Sequence, residues 1–306
     1  MSFVLKNCVF QAPTADDLER TYALVKRCDI RDYGEPDVDL GDLAYDWERM
    51  DLARDAWLVH TPASDLIGYG AVIPHGPNLR YDLYVDPSWE GLDLGQALLA
   101  RCEARGQEIT EDRSEGLVAK TYVAHDYQQG HEILQGAGFR LVMVHYQMEQ
   151  RLDVPLPVPA WPEGVSVRAA VPEQDYRAVH DLIETAFTWP GRTPIPYEAW
   201  RGLMLNDDIY RPELWFLAVS GKEIVGACLC FAYPESGWVR QLAVVEAWRR
   251  RGIGSALLCH AFRTFRERGY ERAGLVVESE NPRAMDFYEQ LGMRRVRQHD
   301  EYGRAI

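Results

Sequence analysis

The chain has 306 residues, with 33 Lys+Arg against 47 Asp+Glu for a formal charge of −14, a length that suits two domains of about 150 residues. Its 47 % hydrophobic and 26 % charged residues make an ordinary globular balance, and the excess acid disfavours nucleic acid as a partner because phosphates would be repelled. No apolar run reaches the roughly 20 residues of a membrane span, and the opening "MSFVLKNCVF", broken by Lys6 and Asn7, lacks a secretory apolar core, so a cytoplasmic location without a membrane partner is expected.

Taken in order, "DDLERTYALVKRCD" reads as a helix and "AWLVHTPASDLIGYGAVIP" as a hairpin. "RYDLYVDPSWEGLDLGQALLARCEARG" reads as strand, turn and helix, and "VAKTYVAHDYQQGHEILQGAGF" as a closing strand and helix. The stretch Arg151 to Gly164, with Pro155, Pro157, Pro159 and Pro162, can be neither a long helix nor a central strand and reads as a linker. After it the same order returns. "VSVRAA" is a strand, and "PEQDYRAVHDLIETAF" is a helix with Val179, Leu182, Ile183, Ala186 and Phe187 on one face. An irregular stretch, Thr188 to Trp200, precedes the hairpin "LWFLAVSGKEIVGACLCFAY". The strand "WVRQLAVV" leads into the helix "IGSALLCHAFRTFRERG", and "AGLVVES" and "NPRAMDFYEQLG" close the unit. This is a tandem duplication: residues 1–150, a linker at 151–164, and residues 165–306, each half an α/β unit.

The six cysteines form no CxxC pair and show no zinc-like spacing, so no metal site is expected. Cys228 and Cys230 share one face of a strand, as small core side chains or as a reactive pair.

The stretch "VEAWRRRGIGSALL" stands out in so acidic a chain. The first amides of a helix lack internal partners and favour an oxyanion. Glycine lets the backbone approach that anion, and Arg249, Arg250 and Arg251 add cationic donors. No Gly-Lys-Ser/Thr follows, which excludes a Walker A loop, and the G-x-G-x-x-G spacing of a dinucleotide fingerprint is missing.

Arg249, Gly252 and Gly254 fit Arg/Gln-x-x-Gly-x-Gly/Ala, and this segment resembles motif A of the Gcn5-related N-acetyltransferases. Downstream, "NPRAMDFYEQLGM" resembles that family's closing motif, with Asn281, Ala284, Tyr288 and Gly292 in place and Met293 for Phe. The resemblance implies two tandem domains, each with a mixed, mostly antiparallel central sheet flanked by helices. It implies acetyl-CoA as cosubstrate. Its diphosphate would rest on the amides of Arg249, Arg250, Arg251, Gly252, Ile253, Gly254 and Ser255. Its pantetheine arm would pair with the strand at Leu242, Ala243 and Val244, with Asn281 and Arg283 nearby. Tyr288 would be the general acid for the leaving thiolate, and a backbone N–H near Val244 would meet the oxyanion.

Many relatives carry a glutamate on the strand before motif A as general base. Here Arg240 and Gln241 occupy its middle, which leaves Glu278, Glu280, a water relay or bulk deprotonation. Trp189, Tyr197 and Trp200, with Arg240, are the candidate acceptor-binding residues. In the first half Glu90 stands where Arg249 does, Asp93 where Gly252 does, Tyr127 for Asn281 and Leu134 for Tyr288; only Gly95 is kept. That half is expected to keep the fold without the chemistry. The expected activity is acetyl transfer to a primary amine of a small molecule by a monomer or homodimer. The rivals are a non-catalytic acyl-CoA-binding sensor or scaffold, and a protein or peptide N-acetyltransferase.

Overall fold

The computed structural model describes residues 7–76, 78–111, 116–188, 192, 194–205, 209–234, 236–278 and 282–306. The chain divides into two compact units.

Unit 1 comprises residues 1–145 together with 297–306. Strand β1 (Val9–Gln11) and helices α1 (Leu18–Tyr33), α2 (Leu40–Glu48) and α3 (Leu52–Asp55) precede β2 (Ala56–His60), β3 (Leu66–His75) and β4 (Asn78–Val85). Helix α4 (Leu92–Glu111), β5 (Val118–Ala124), α5 (Gln128–Gly136) and the first half of β6 (Arg140–Arg151) follow. β1 to β4 are antiparallel neighbours, and β4 runs parallel to β5. The next strand in this sheet is the last of the chain: His299 to Ala305 pairs antiparallel with β5. Arg297 anchors it, its guanidinium 2.6 Å from Glu35 and bonded to Asp37. Glu301, buried on the same strand, is bound by Lys120 and His145, each at 2.7 Å. Neither β6 nor this last strand was among the expected elements.

Unit 2 comprises residues 146–296. The second half of β6, β7 (Val165–Ala169), α6 (Tyr176–Ala186), α7 (Tyr197–Leu205), β8 (Tyr210–Ser220), β9 (Glu223–Ala232) and β10 (Ser236–Val244) come first. Then come α8 (Ile253–Glu267), β11 (Arg272–Glu278), α9 (Pro282–Gln290) and the start of β12 (Arg294–Ala305). The strands lie in the order β6-β11-β10-β9-β8-β7. All pairs from β7 to β10 are antiparallel, and β10–β11 is parallel. Side chains alternate across the sheet: Cys228 and Cys230 face the α8/α9 core, while Ala227, Leu229 and Phe231 face the α6/α7 core. The proline-rich segment 152–164 has no helix or strand, but Leu152, Leu156 and Trp161 pack into the α8/α9 core. It therefore belongs to unit 2's body. Among the described residues no helix is long and apolar enough to cross a membrane.

Candidate active site

β10 and β11 pair only at Ser236↔Arg272, Gly237↔Ala273 and Trp238↔Gly274. Beyond that point they part. Two glycines mark the last paired positions. A Cβ on Gly274 would lie 2.5 Å from the Trp238 ring, so the indole sits where the strands separate. A Cβ on Gly237 would run into the ring of Phe265, which α8 presses against the sheet. From Gln241 to Val244, β10 stays paired with β9 on one edge only. Among the described residues no strand pairs with its edge toward β11 over this stretch, the requirement for pairing with an extended ligand.

The strand runs into a short 3-10 turn (Glu246–Trp248) and then α8, whose N-cap is Gly252. Gly252 has φ +84° and Arg250 φ +61°, both left-handed. A non-glycine residue held there costs roughly 1–2 kcal/mol. Left-handed residues alternating with ordinary ones turn successive amides inward into an anion-binding nest. The first bond of the helix runs from the Ala256 N–H to the Gly252 carbonyl (2.9 Å), and no side chain caps this end. The amides of Ile253, Gly254 and Ser255 therefore point out of it. Ile253 buries its side chain, which fixes that turn against the core. These residues fit a diphosphate: open amides, positive helix end, and Arg250 and Arg251 exposed beside them.

The three arginines divide their work. Arg251 lies 4.8 Å over the Trp248 ring. Arg249 was expected at the phosphates, but its Nε donates to the Val244 carbonyl (3.0 Å) and Nη2 reaches the Ala186 carbonyl (3.5 Å). It ties the strand end to the end of α6. Glu246 is exposed and forms no ion pair with them.

Tyr288 lies on α9, partly buried against the α8/α9 core, with the Phe287 ring 5.2 Å away. Burial, with Cys228 nearby as a second cause, pushes its phenol up to about 12. Its hydroxyl has no hydrogen-bond partner among the described residues. Cys228 and Cys230 are free, fully buried thiols 3.6 Å apart, and burial holds the Cys230 thiol well above its usual range. They are core side chains.

On the α6/α7 face the expectation changes. Trp200 is 1 % exposed and packs against Trp215, so it is core and not an open cap. Its indole Nε1 donates to Gln241 Oε1 (3.4 Å). Tyr197 stacks on Trp200, and Arg177 lies 3.7 Å over its ring. His180, buried between them, bonds the Ile195 carbonyl at 2.8 Å and pins this segment to α6. Arg240 and Arg283 are exposed, and so is Glu278 at the end of β11. Trp189, Glu280 and Asn281 lie outside the described residues.

Unit 1 keeps the parting of strands, since among the described residues β4 and β5 pair at Leu79↔Ala119 and Arg80↔Lys120 and no further. Its mouth is closed by a residue the sequence did not single out. Arg31 of α1 donates to the Val85 carbonyl at the end of β4 (3.2 Å). It also stacks 3.9 Å over Tyr127 and lies 3.7 Å from Glu90. Ile133 packs onto Gly95, and Leu134 is buried. The turn that would cradle an anion is thus filled and acidic.

A sheet parted beside an open helix start, with a half-buried tyrosine on the closing helix, defines an acyltransferase of the coenzyme A-using kind. The sequence profile of the acetyltransferase (GNAT) family matches residues 176–293. A GCN5-related N-acetyltransferase from Sphaerobacter thermophilus is 30 % identical in sequence, with a TM-score of 0.85 over 98 % of this chain and 96 % of that one. A tandem GNAT protein from the clavulanic acid biosynthesis pathway superimposes with a TM-score of 0.76 at 14 % identity, over 97 % of this chain and 98 % of that one. A mycothiol acetyltransferase of Thermobispora bispora is 26 % identical over 239 residues, 76 % of this chain and 77 % of that protein. The chain belongs to the GNAT family and is an acyltransferase of tandem architecture.

Proposed function

We propose that unit 2 transfers the acetyl group of acetyl-CoA to a primary amine of a small molecule by direct attack. The observation that carries this is the continuity of the half-unpaired edge of β10 with the amide nest at Arg250–Ser255, with Tyr288 packed against the same core; the Arg249 amide, expected in that nest, donates instead to the Glu246 carbonyl (3.1 Å). The nest and Arg250 and Arg251 hold the diphosphate, and the β10 edge at Leu242, Ala243 and Val244 holds the pantetheine arm by main-chain bonds. A backbone N–H of that edge receives the carbonyl oxygen as it becomes an oxyanion. The amine nitrogen forms the new C–N bond. As the C–S bond breaks, the sulfur takes the phenolic proton of Tyr288, and the ammonium proton passes to water or to a base. The closing motif assigns Asn281 and Arg283 to the arm by sequence, and Glu278 and Glu280 are the carboxylates near enough in sequence to serve as that base.

The division of labour follows the same reading: unit 2, residues 146–296, supplies the chemistry, and unit 1, residues 1–145 with 297–306, is a non-catalytic copy; the expected boundaries at 150 and 165 shift because 151–164 packs into unit 2 and the strand after Val296 joins unit 1. Curated relatives named mycothiol acetyltransferases support a small-molecule acceptor over a protein one. Thiol release from acetyl-CoA across a panel of amines, wild type against Tyr288→Phe, is the test. Coenzyme A binding without Tyr288-dependent turnover of any amine would assign the chain to the sensor class.

A further inference from the structure

Resting on that reading, we infer that Arg240 and Gln241 form a donor-only clamp for an oxyanion carried by the acceptor. The substrate class is therefore an amine that also bears a carboxylate or phosphate.

The clamp is built by a β-bulge. Val239 pairs with Cys230 and Gln241 with the adjacent Leu229, so Arg240 is an extra residue in the strand. A bulge re-aims side chains. Val239 and Leu242 both pack in the α8/α9 core, and Gln241 bonds Trp200 in the other. The two residues between Val239 and Leu242 therefore both leave on the α6/α7 side. They do so just past Trp238↔Gly274, the last pair before the strands part. An acceptor reaching the thioester from that side passes both.

The chemistry of the pair is one-sided. The indole of Trp200 can only donate, so the Gln241 atom it meets is Oε1, and the NH2 group is the end left over. Arg240 brings five N–H donors and no acceptor. It is exposed and bonds no described residue, whereas Arg168, Arg192 and Arg201 of the surrounding elements are each paired with a carboxylate within 2.7 Å. A site with donors only, one of them cationic, repels an ammonium and accepts an oxyanion bidentately. The reacting amine does not sit there. A remote acidic group of the same molecule does, and it holds the amine toward the gap.

The test uses matched acceptors: amino acids against their amides for a carboxylate, and hexosamine phosphates against hexosamines for a phosphate. Each pair gives a ratio of kcat/KM. Dividing the wild-type ratio by that of Arg240→Gln cancels intrinsic differences in amine reactivity. The expected quotient is at least about tenfold in one of the two series, the size of one charge-assisted bond lost. The preference for the acidic acceptor should be expressed in KM, be partly restored in Arg240→Lys, and be lost in Gln241→Glu, where a carboxylate replaces a donor. The series that responds identifies the oxyanion. A quotient near one in both series, with amines turned over, overturns the clamp and leaves the acetyltransferase reading standing. No turnover of any amine, with coenzyme A bound in calorimetry, overturns both.

Discussion

Replacing Tyr288 by phenylalanine removes one oxygen and little else. The phenol has no described hydrogen-bond partner, and the ring keeps its contact with Phe287, so the fold should be unchanged. The phenol is pushed to about 12 by burial, while a thiol ionises near 8.5. Moving the proton between them would cost about 5 kcal/mol if the sulfur kept its solution value. The same apolar surroundings raise the thiolate as it is expelled, so the gap closes only as the C–S bond breaks. The phenol must therefore act within that step. Loss of such a general acid lowers kcat about 10²–10⁴-fold, with little change in KM for acetyl-CoA. Thiol release followed continuously between pH 6 and 10 is the assay. Because Tyr288 stays protonated throughout, wild type should show no alkaline loss of activity from this group. If Tyr288→Phe keeps more than a third of the wild-type kcat, the assignment is wrong.

Further outcomes follow from the geometry. Gly252→Ala forces a Cβ into φ +84°, so denaturation should show roughly 1–2 kcal/mol lost and calorimetry a weaker affinity for coenzyme A. Gly274→Val collides with Trp238; the protein should lose acetyl-CoA binding before it loses its circular dichroism spectrum. Calorimetry should count one coenzyme A per chain in wild type and in Arg31→Ala, since Glu90 and Asp93 still oppose the anion; a count of two would refute the reading of unit 1. Burial alone would raise the Glu301 carboxyl, but His145 and Lys120 outweigh it and hold it at about 2. Its contribution, about 3 kcal/mol at most, is full above the ordinary carboxylate range and vanishes as pH falls through 2. About 2 kcal/mol should be gone by pH 3, a loss that urea titration of Glu301→Gln should lack.

Local patterns were readable and distant ones were not. The turn from Arg249 to Ser255 could be read because helix start, glycines and arginines are contiguous. Arg249 itself was misjudged, since nothing nearby in sequence announces the carbonyls of Val244 and Ala186. Trp238 packs on Gly274 at the last pair before the strands part, yet each alone is an ordinary residue. Arg31 closes the first unit's gap from another helix, and only the fold brings it there. Trp200 looked like a loop aromatic because Pro194 and Pro196 hid the helix that begins at Tyr197 and buries it. β6 and β12 escaped notice because both are rich in charged and amide side chains. Such strands are stabilised by cross-strand bonds like Lys120 to Glu301, which periodicity does not reveal.

That residues 297–306 belong to unit 1 fixes an order of events on the ribosome. Unit 2 spans one continuous stretch and has all its residues once position 296 has emerged. Unit 1 starts earlier, yet β5 waits for its partner strand until Ala305 has emerged. The half synthesised first is the half completed last, so a nascent chain halted before Arg297 would expose the β5 edge to any other strand that finds it.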